Sequence, residues 1–253
     1  MKITRRFFAA LLIIAAPLIA FSAARTPGKN STPSQYLAFI GTYTTKTDSK
    51  GIYSFRFDTT TGKLTSSTLA TPAQDPSFLA VSANEKYLYA VNELPTFNGK
   101  SSGAVTSYFL DRKSGKLTQL NQLPSGGADP CYVSLDRTGK FLLVANYTGG
   151  SVATFPVAPD GRLGPASAFV QHTGSGPNKE RQEGPHAHYI ATSSDNRFVF
   201  AVNLGLDEVV IYHFNSATGA LTPSDPPFAK LDPGAGPRHL AFHPNEKFAY
   251  ALS

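Results

Sequence analysis

The chain is 253 residues long, with 41% hydrophobic and 16% charged residues, a length and balance that support a buried core and exclude global disorder. Its formal charge is +6, but Lys2, Arg5 and Arg6 sit in a stretch without acids, leaving about +3 on the remainder, too small a bias to point to nucleic acid. One cysteine, Cys131, excludes an internal disulfide framework and a multi-cysteine zinc site, and reads as an inert strand residue.

Residues 1–24 have the three parts of a signal peptide: a basic start, an apolar run over 7–21, and small residues Ser22, Ala23 and Ala24. The run contains Pro17 and is shorter than the roughly 20 residues a membrane-crossing helix needs, so cleavage after Ala24 is expected instead of a stable membrane span. Thr4-Arg5-Arg6-Phe7-Phe8 resembles a twin-arginine signal; an ordinary basic leader is the equal alternative. Either leader places the mature chain in the periplasm or outside the cell. No cysteine stands near the cleavage point, which excludes a lipobox anchor. Residues 25–35, rich in Pro, Ser, Thr and Lys, read as a flexible lead-in, and the folded domain is expected over 36–253.

Within that domain one pattern recurs with a period of roughly 53 residues. It opens on Asp75-Pro76, Asp129-Pro130, Gly184-Pro185 and Gly236-Pro237, each followed by a short apolar strand. A polar turn comes next, at 82–86, 136–140, 193–197 and 243–247, and then a second apolar run, at 87–91, 141–145, 198–202 and 248–252. A third strand follows at 104–110, 151–157 and 208–214, with turns such as Asp111-Arg112-Lys113-Ser114-Gly115 leading to a fourth. Gly149-Gly150 reads as a hairpin turn. Two strands joined by a short polar turn form a hairpin, and four antiparallel strands per repeat is the plan of a β-propeller blade. The abundance of Gly, Pro, Tyr and Phe, with one Met and no Trp, agrees with an all-β chain of short strands. The first segment enters the template at its second strand, with 36–40 matching 87–91 and 51–57 matching the third strand. The last repeat stops after two strands. The expectation is therefore seventeen strands in groups of three, four, four, four and two, an incomplete arc of about four to four and a half blades with uncovered ends; the chain reads as a fragment cut short at its C-terminus.

The first strand of each blade faces the central channel, so the residues that open it converge from several blades. Those positions carry His186 and His188 in one blade and Arg238 and His239 in the next. Between two blades runs a long polar loop, 171–183, that contains Arg181, and long loops on rigid scaffolds tend to carry function. Such a cluster offers a base able to deprotonate water and a cation able to hold an oxyanion or a substrate anion. A neutral histidine supplies the first and a guanidinium the second. His186 is the first choice of base, against a structural histidine bonded at a blade edge; His188 is a substrate-binding candidate. Glu93 ends a second strand near the mouth and offers a spare carboxylate, with turn capping the preferred reading. His243 is expected to organise its turn, and His172 and His213 to be solvated. Two histidines at i and i+2 lack a third ligand, so neither a metal nor another cofactor is expected. No phosphate loop, Ser-His-Asp order or nucleophile elbow can be assembled.

Residues 171–189, with Arg181-Gln182-Glu183-Gly184-Pro185-His186-Ala187-His188, together with 234–246, with Gly236-Pro237-Arg238-His239, resemble two signatures of a lactonase family of seven-bladed propellers that includes bacterial 6-phosphogluconolactonase and fungal carboxymuconate cyclase. The resemblance runs from about residue 36 to the last. It implies a complete ring of seven blades and hydrolysis of a small-molecule sugar lactone to the aldonic acid. It also implies a channel site containing His186 and Arg238 as catalytic residues, with a glutamate and a further arginine beyond Ser253. Arg181, His188, His239 and Glu93 are then candidates for substrate binding. A muconate-type cycloisomerase uses the same kind of site, and a propeller that only binds partners remains the non-enzymatic alternative. Sugar phosphates are cytosolic, so the export leader favours an unphosphorylated lactone.

Overall fold

The computed structural model describes residues 35–253; the expected signal peptide at 1–24 and nearly all of the lead-in at 25–35 lie outside the described residues. The described residues fold into seventeen strands and one three-residue 3-10 turn, Leu204–Leu206. The strands form five sheets in sequence. Blade 1 is β1 (Gln35–Ile40), β2 (Gly51–Asp58) and β3 (Thr68–Pro72). Blade 2 is β4 (Leu79–Val81), β5 (Tyr87–Asn92), β6 (Ala104–Asp111) and β7 (Lys116–Pro124). Blade 3 is β8 (Pro130–Leu135), β9 (Phe141–Asn146), β10 (Ser151–Pro156) and β11 (Ala168–Gln171). Blade 4 is β12 (Ala187–Thr192), β13 (Phe198–Asn203), β14 (Glu208–Phe214) and β15 (Leu221–Lys230). Blade 5 is β16 (His239–Phe242) and β17 (Ala249–Leu252). Every neighbour in a sheet is antiparallel, and among the described residues β1 pairs with β2 alone and β17 with β16 alone.

The reason for continuous apolar runs in the second strands is that these strands are buried on both faces. Successive side chains of a strand point to opposite faces. In β5, Leu88 and Ala90 pack with Ile52 and Ala70 of blade 1, while Tyr89 and Val91 pack with Leu142 and Val144 of blade 3. In β9, Leu142 and Val144 face blade 2, and Phe141, Leu143 and Ala145 face Ile190, Val199 and Ala201 of blade 4. A fourth cluster, Tyr189, Val202, Val209 and Leu240, joins blade 4 to blade 5. The core is thus a row of four apolar layers between five sheets, each layer holding two blades together. On the far side of blade 5, Phe248, Tyr250 and Leu252 are exposed.

The turns follow the repeat as closely as the strands do. The fourth turn residue of each first hairpin is left-handed: Glu85 (φ 56°), Gly139 (φ 69°), Asn196 (φ 60°) and Glu246 (φ 62°). The residue before the blade-opening proline is left-handed in three blades, at Asp75 (φ 40°), Asp129 (φ 51°) and Gly236 (φ 60°). Gly and Asp accept a positive φ at the lowest cost. Gly149-Gly150 joins β9 to β10, as expected. The 3-10 turn after β13 has no counterpart in the sequence reading; it ends on Asp207, which is also left-handed (φ 54°).

Candidate functional site

The inner strands open into a shared cavity of about 360 Å³. The polar turn offers a fixed point from which to compare blades, since all four turns close on the same bond geometry. Counting back from it, Ser77, Cys131, His188 and Arg238 occupy one structural position, and all four line the cavity. In blades 3 and 4 this residue is a bulge: Pro130 pairs with Asn146 and Tyr132 with Ala145, leaving Cys131 out of register, and Ala187 pairs with Asn203 and Tyr189 with Val202, leaving His188 out. A bulge re-aims a side chain. Here it turns Cys131 and His188 toward the cavity. A second set comes from the residue after the asparagine that ends each second strand, Asn92-Glu93 and Asn146-Tyr147, and both Glu93 and Tyr147 join the lining. Tyr43, Phe78 and His239 complete it.

The sequence alignment on Gly-Pro misplaces one blade. The segment from Pro185 to the turn is two residues longer than that from Pro130, so His186 sits ahead of the inner strand and His188 takes the position expected for it. His186 is buried and does not line the cavity. Its ring stacks on Tyr147 at 4.5 Å. Nδ1 lies 3.1 Å from the Tyr147 carbonyl oxygen and Nε2 3.1 Å from a Glu183 carboxylate oxygen. Both ring nitrogens thus face oxygens of the protein itself, and the residue braces Tyr147 from behind.

Among the cavity residues two acid–base groups are driven in opposite directions. Glu93 accepts hydrogen bonds from the Tyr43 hydroxyl at 2.9 Å and from the Ser77 hydroxyl. Burial outweighs these bonds and raises its carboxyl above the usual 4.5, helped by the nearby Asp129 and Asp75 charges. Its side chain therefore faces the cavity from between two blades, and the turn-capping reading does not hold. The Tyr43 hydroxyl is pushed up to about 12, mainly by burial and by Glu93, so it stays a donor. His188 is pulled down to about 4 by burial first and then by the charges of Arg238 and His239. His239 is lowered by burial and by Arg238; its ring meets that of His188 edge to face at 5.0 Å. Both imidazoles are thus neutral beside the guanidinium. Burial pushes the Cys131 thiol up, which keeps it unreactive.

Arg238 also lines an adjoining hollow of about 220 Å³ with Arg181, Gln182, Gly234 and Gly236. Among the described residues neither guanidinium has an ion-pair partner; Arg181 reaches only the Tyr147 hydroxyl, at 3.4 Å. Four of the six sequence candidates, Glu93, His188, Arg238 and His239, therefore meet in one cavity, Arg181 lies next door, and His186 stands behind the wall. The sequence reading missed Tyr43, Ser77 and Tyr147. Tyr147 was legible as the repeat partner of Glu93. Among the described residues, no group of three or more His, Cys, Asp and Glu side chains is arranged to hold a metal ion.

His172 corrects a further expectation. It is buried instead of solvated, with Nε2 2.6 Å from the Tyr212 hydroxyl and Nδ1 2.7 Å from the Asn203 side-chain nitrogen. His243 does organise its turn, with Nδ1 accepting from the Asn245 backbone N–H at 3.1 Å.

A family model described as "Lactonase, 7-bladed beta-propeller" matches residues 37–253. The chain belongs to this lactonase family. Among curated proteins it is 42% identical over 219 residues to the 6-phosphogluconolactonase of Bacillus subtilis (strain 168), covering 87% of this chain and 60% of that protein. It is 33% identical over 216 residues to the 6-phosphogluconolactonase of Formosa agariphila, covering 85% and 60%. Among solved structures, the periplasmic gluconolactonase of Pseudomonas aeruginosa superposes with a TM-score of 0.79 at 36% identity, over 87% of this chain and 61% of that one. The chain thus spans about 60% of the length of the lactonases it matches. Among the described residues no helix is long and apolar enough to cross a membrane.

Proposed function

We propose that this protein hydrolyses a sugar lactone to its aldonic acid in the cavity between Glu93, His188 and Arg238. The observation that carries the reading is that a half-buried carboxylate, bonded to the Tyr43 and Ser77 hydroxyls, lines one cavity with a guanidinium that has no ion-pair partner among the described residues. A general base works best when its conjugate acid titrates near the working pH. Burial moves Glu93 up toward that range and His188 down away from it, and Glu93 is taken as the base. In this reading Glu93 takes a proton from water as the oxygen adds to the lactone carbonyl. Arg238 stabilises the oxyanion so formed. The ring C–O bond then breaks, the leaving oxygen takes the proton back from Glu93, and the product leaves as a hydroxy acid. His188 and His239, held neutral, orient the substrate without competing for the proton.

The relatives named for 6-phosphogluconolactone and gluconolactone hydrolysis support a gluconate-type lactone. The signal peptide expected at 1–24 and the periplasmic relative together favour an unphosphorylated substrate met in the periplasm. Acid release from glucono-δ-lactone, corrected for spontaneous hydrolysis, tests the roles. Glu93→Gln is expected to lower kcat by about 10²-fold or more, the scale of a lost general base, and Arg238→Ala to lower kcat/KM by a similar factor. His186→Ala is expected to act less on kcat than either. Full activity in Glu93→Gln overturns the assignment.

A further inference from the structure

We infer that Asp207 is a positioning residue that sets Arg238 at the cavity, an inference that rests on the proposed role of Arg238. The carboxylate of Asp207 is buried, and it is bound by two loops at once. It accepts the backbone N–H of Gly234 at 2.7 Å and of Gly236 at 2.8 Å, both in the segment that leads directly to Arg238. It also accepts from the Gln182 side-chain nitrogen at 2.6 Å. Gln182 sits next to Arg181 and donates again to the Leu204 carbonyl at 2.8 Å, while its own side-chain oxygen accepts the Asn178 N–H at 3.0 Å. The Asp207 carbonyl accepts from Leu231 at 2.9 Å, closing the base of the Arg238 loop. A single buried carboxylate of blade 4 therefore ties together the loop before blade 5 and the loop before its own inner strand, the two that carry the free guanidiniums.

The need for such a tie is physical. The loop from Leu231 to Arg238 contains two left-handed glycines, Gly234 (φ 81°) and Gly236 (φ 60°), and glycine leaves the backbone its widest freedom. A charged acceptor for two amides of this loop removes that freedom, because hydrogen bonds to a carboxylate are stronger than those between neutral groups. Asp75 does the same work across the cavity: its carboxylate accepts the backbone N–H of Thr44 at 2.6 Å and of Thr45 at 2.8 Å, and so holds the loop that delivers Tyr43.

The test is a double-mutant cycle with Arg238→Ala. Asp207→Asn keeps the shape and, because asparagine also tolerates a positive φ, the backbone, while removing the charge and turning one of the two acceptor oxygens into a donor that faces an N–H; Asp207→Gly tolerates that φ and removes the side chain. Both are expected to lower kcat/KM for the lactone by about 10-fold to 10²-fold, the cost of a misplaced catalytic group. In an Arg238→Ala background the same substitutions are expected to change kcat/KM by less than about 2-fold, since coupled residues are not additive. Hydrogen exchange of the 231–238 amides is expected to rise in both variants. Additive losses in the cycle, or exchange unchanged in that loop, overturn the positioning role even where Arg238→Ala alone is impaired. An active Arg238→Ala variant refutes the proposed site itself, a separate failure.

Discussion

The buried histidine His172 yields a stability change that can be calculated. The orientation of Asn203 is dictated by the backbone: its side-chain oxygen accepts the His186 N–H at 2.8 Å, so its nitrogen must point at His172, whose Nδ1 accepts. Nε2 of His172 then carries the hydrogen and donates to Tyr212. Protonating Nδ1 sets two donors against each other in a site shut off from water, and burial draws His172 from 6.5 down to about 4. The unfolded chain therefore binds this proton from about pH 6.5 downward while the folded chain refuses it until about pH 4. Between those values the unfolded state holds more protons, and stability falls as pH falls. The linkage integral for these two values gives a loss of about 2 kcal/mol between pH 7 and pH 5 from this residue alone. His172→Gln keeps an acceptor for Asn203 and a donor for Tyr212 but does not titrate. Urea denaturation at pH 7 and pH 5 is expected to show the variant losing about 2 kcal/mol less than the parent between the two. Parallel losses in parent and variant refute the reasoning, since every other titrating group is common to both.

Two further outcomes follow from packing. A Cβ on Gly205 stands 1.9 Å from the Gly184 carbonyl oxygen, a backbone atom that does not yield cheaply, so Gly205→Ala is expected to cost more than about 2 kcal/mol, seen as a drop in Tm; an unchanged Tm refutes the close approach. Cys131 lines the cavity but is largely buried, with its thiol pushed up by burial, so native protein is expected to react with a thiol reagent far more slowly than unfolded protein; equal labelling rates contradict this.

Much of the architecture is written locally. Blade number and strand order follow from runs such as 87–91 and 141–145, where neighbouring side chains face different blades, and from turn residues such as Asn196 and Gly139 that accept a left-handed backbone. Such signals need only a few adjacent residues, and so the repeat alone brings Arg238, His239 and Glu93 to the channel mouth. The choice between His186 and His188 is not local. The motif Gly184-Pro185 looks like the start of its repeat, yet two extra residues and a bulge at His188 shift which histidine faces the cavity. Register is set by pairing with Asn203 and Val202, partners remote in sequence. Burial is also decided by neighbours: His172 has a polar sequence context and is buried only because Tyr212 and Asn203 close around it. The same holds for the buried Asp207 and Asp75, ordinary turn residues by sequence, whose carboxylates bind loops from the adjacent blade. Short-range pattern is enough to specify the kind of fold and the blades that carry chemistry; which side chains meet is a tertiary matter, because it depends on where strands from separate blades come to rest.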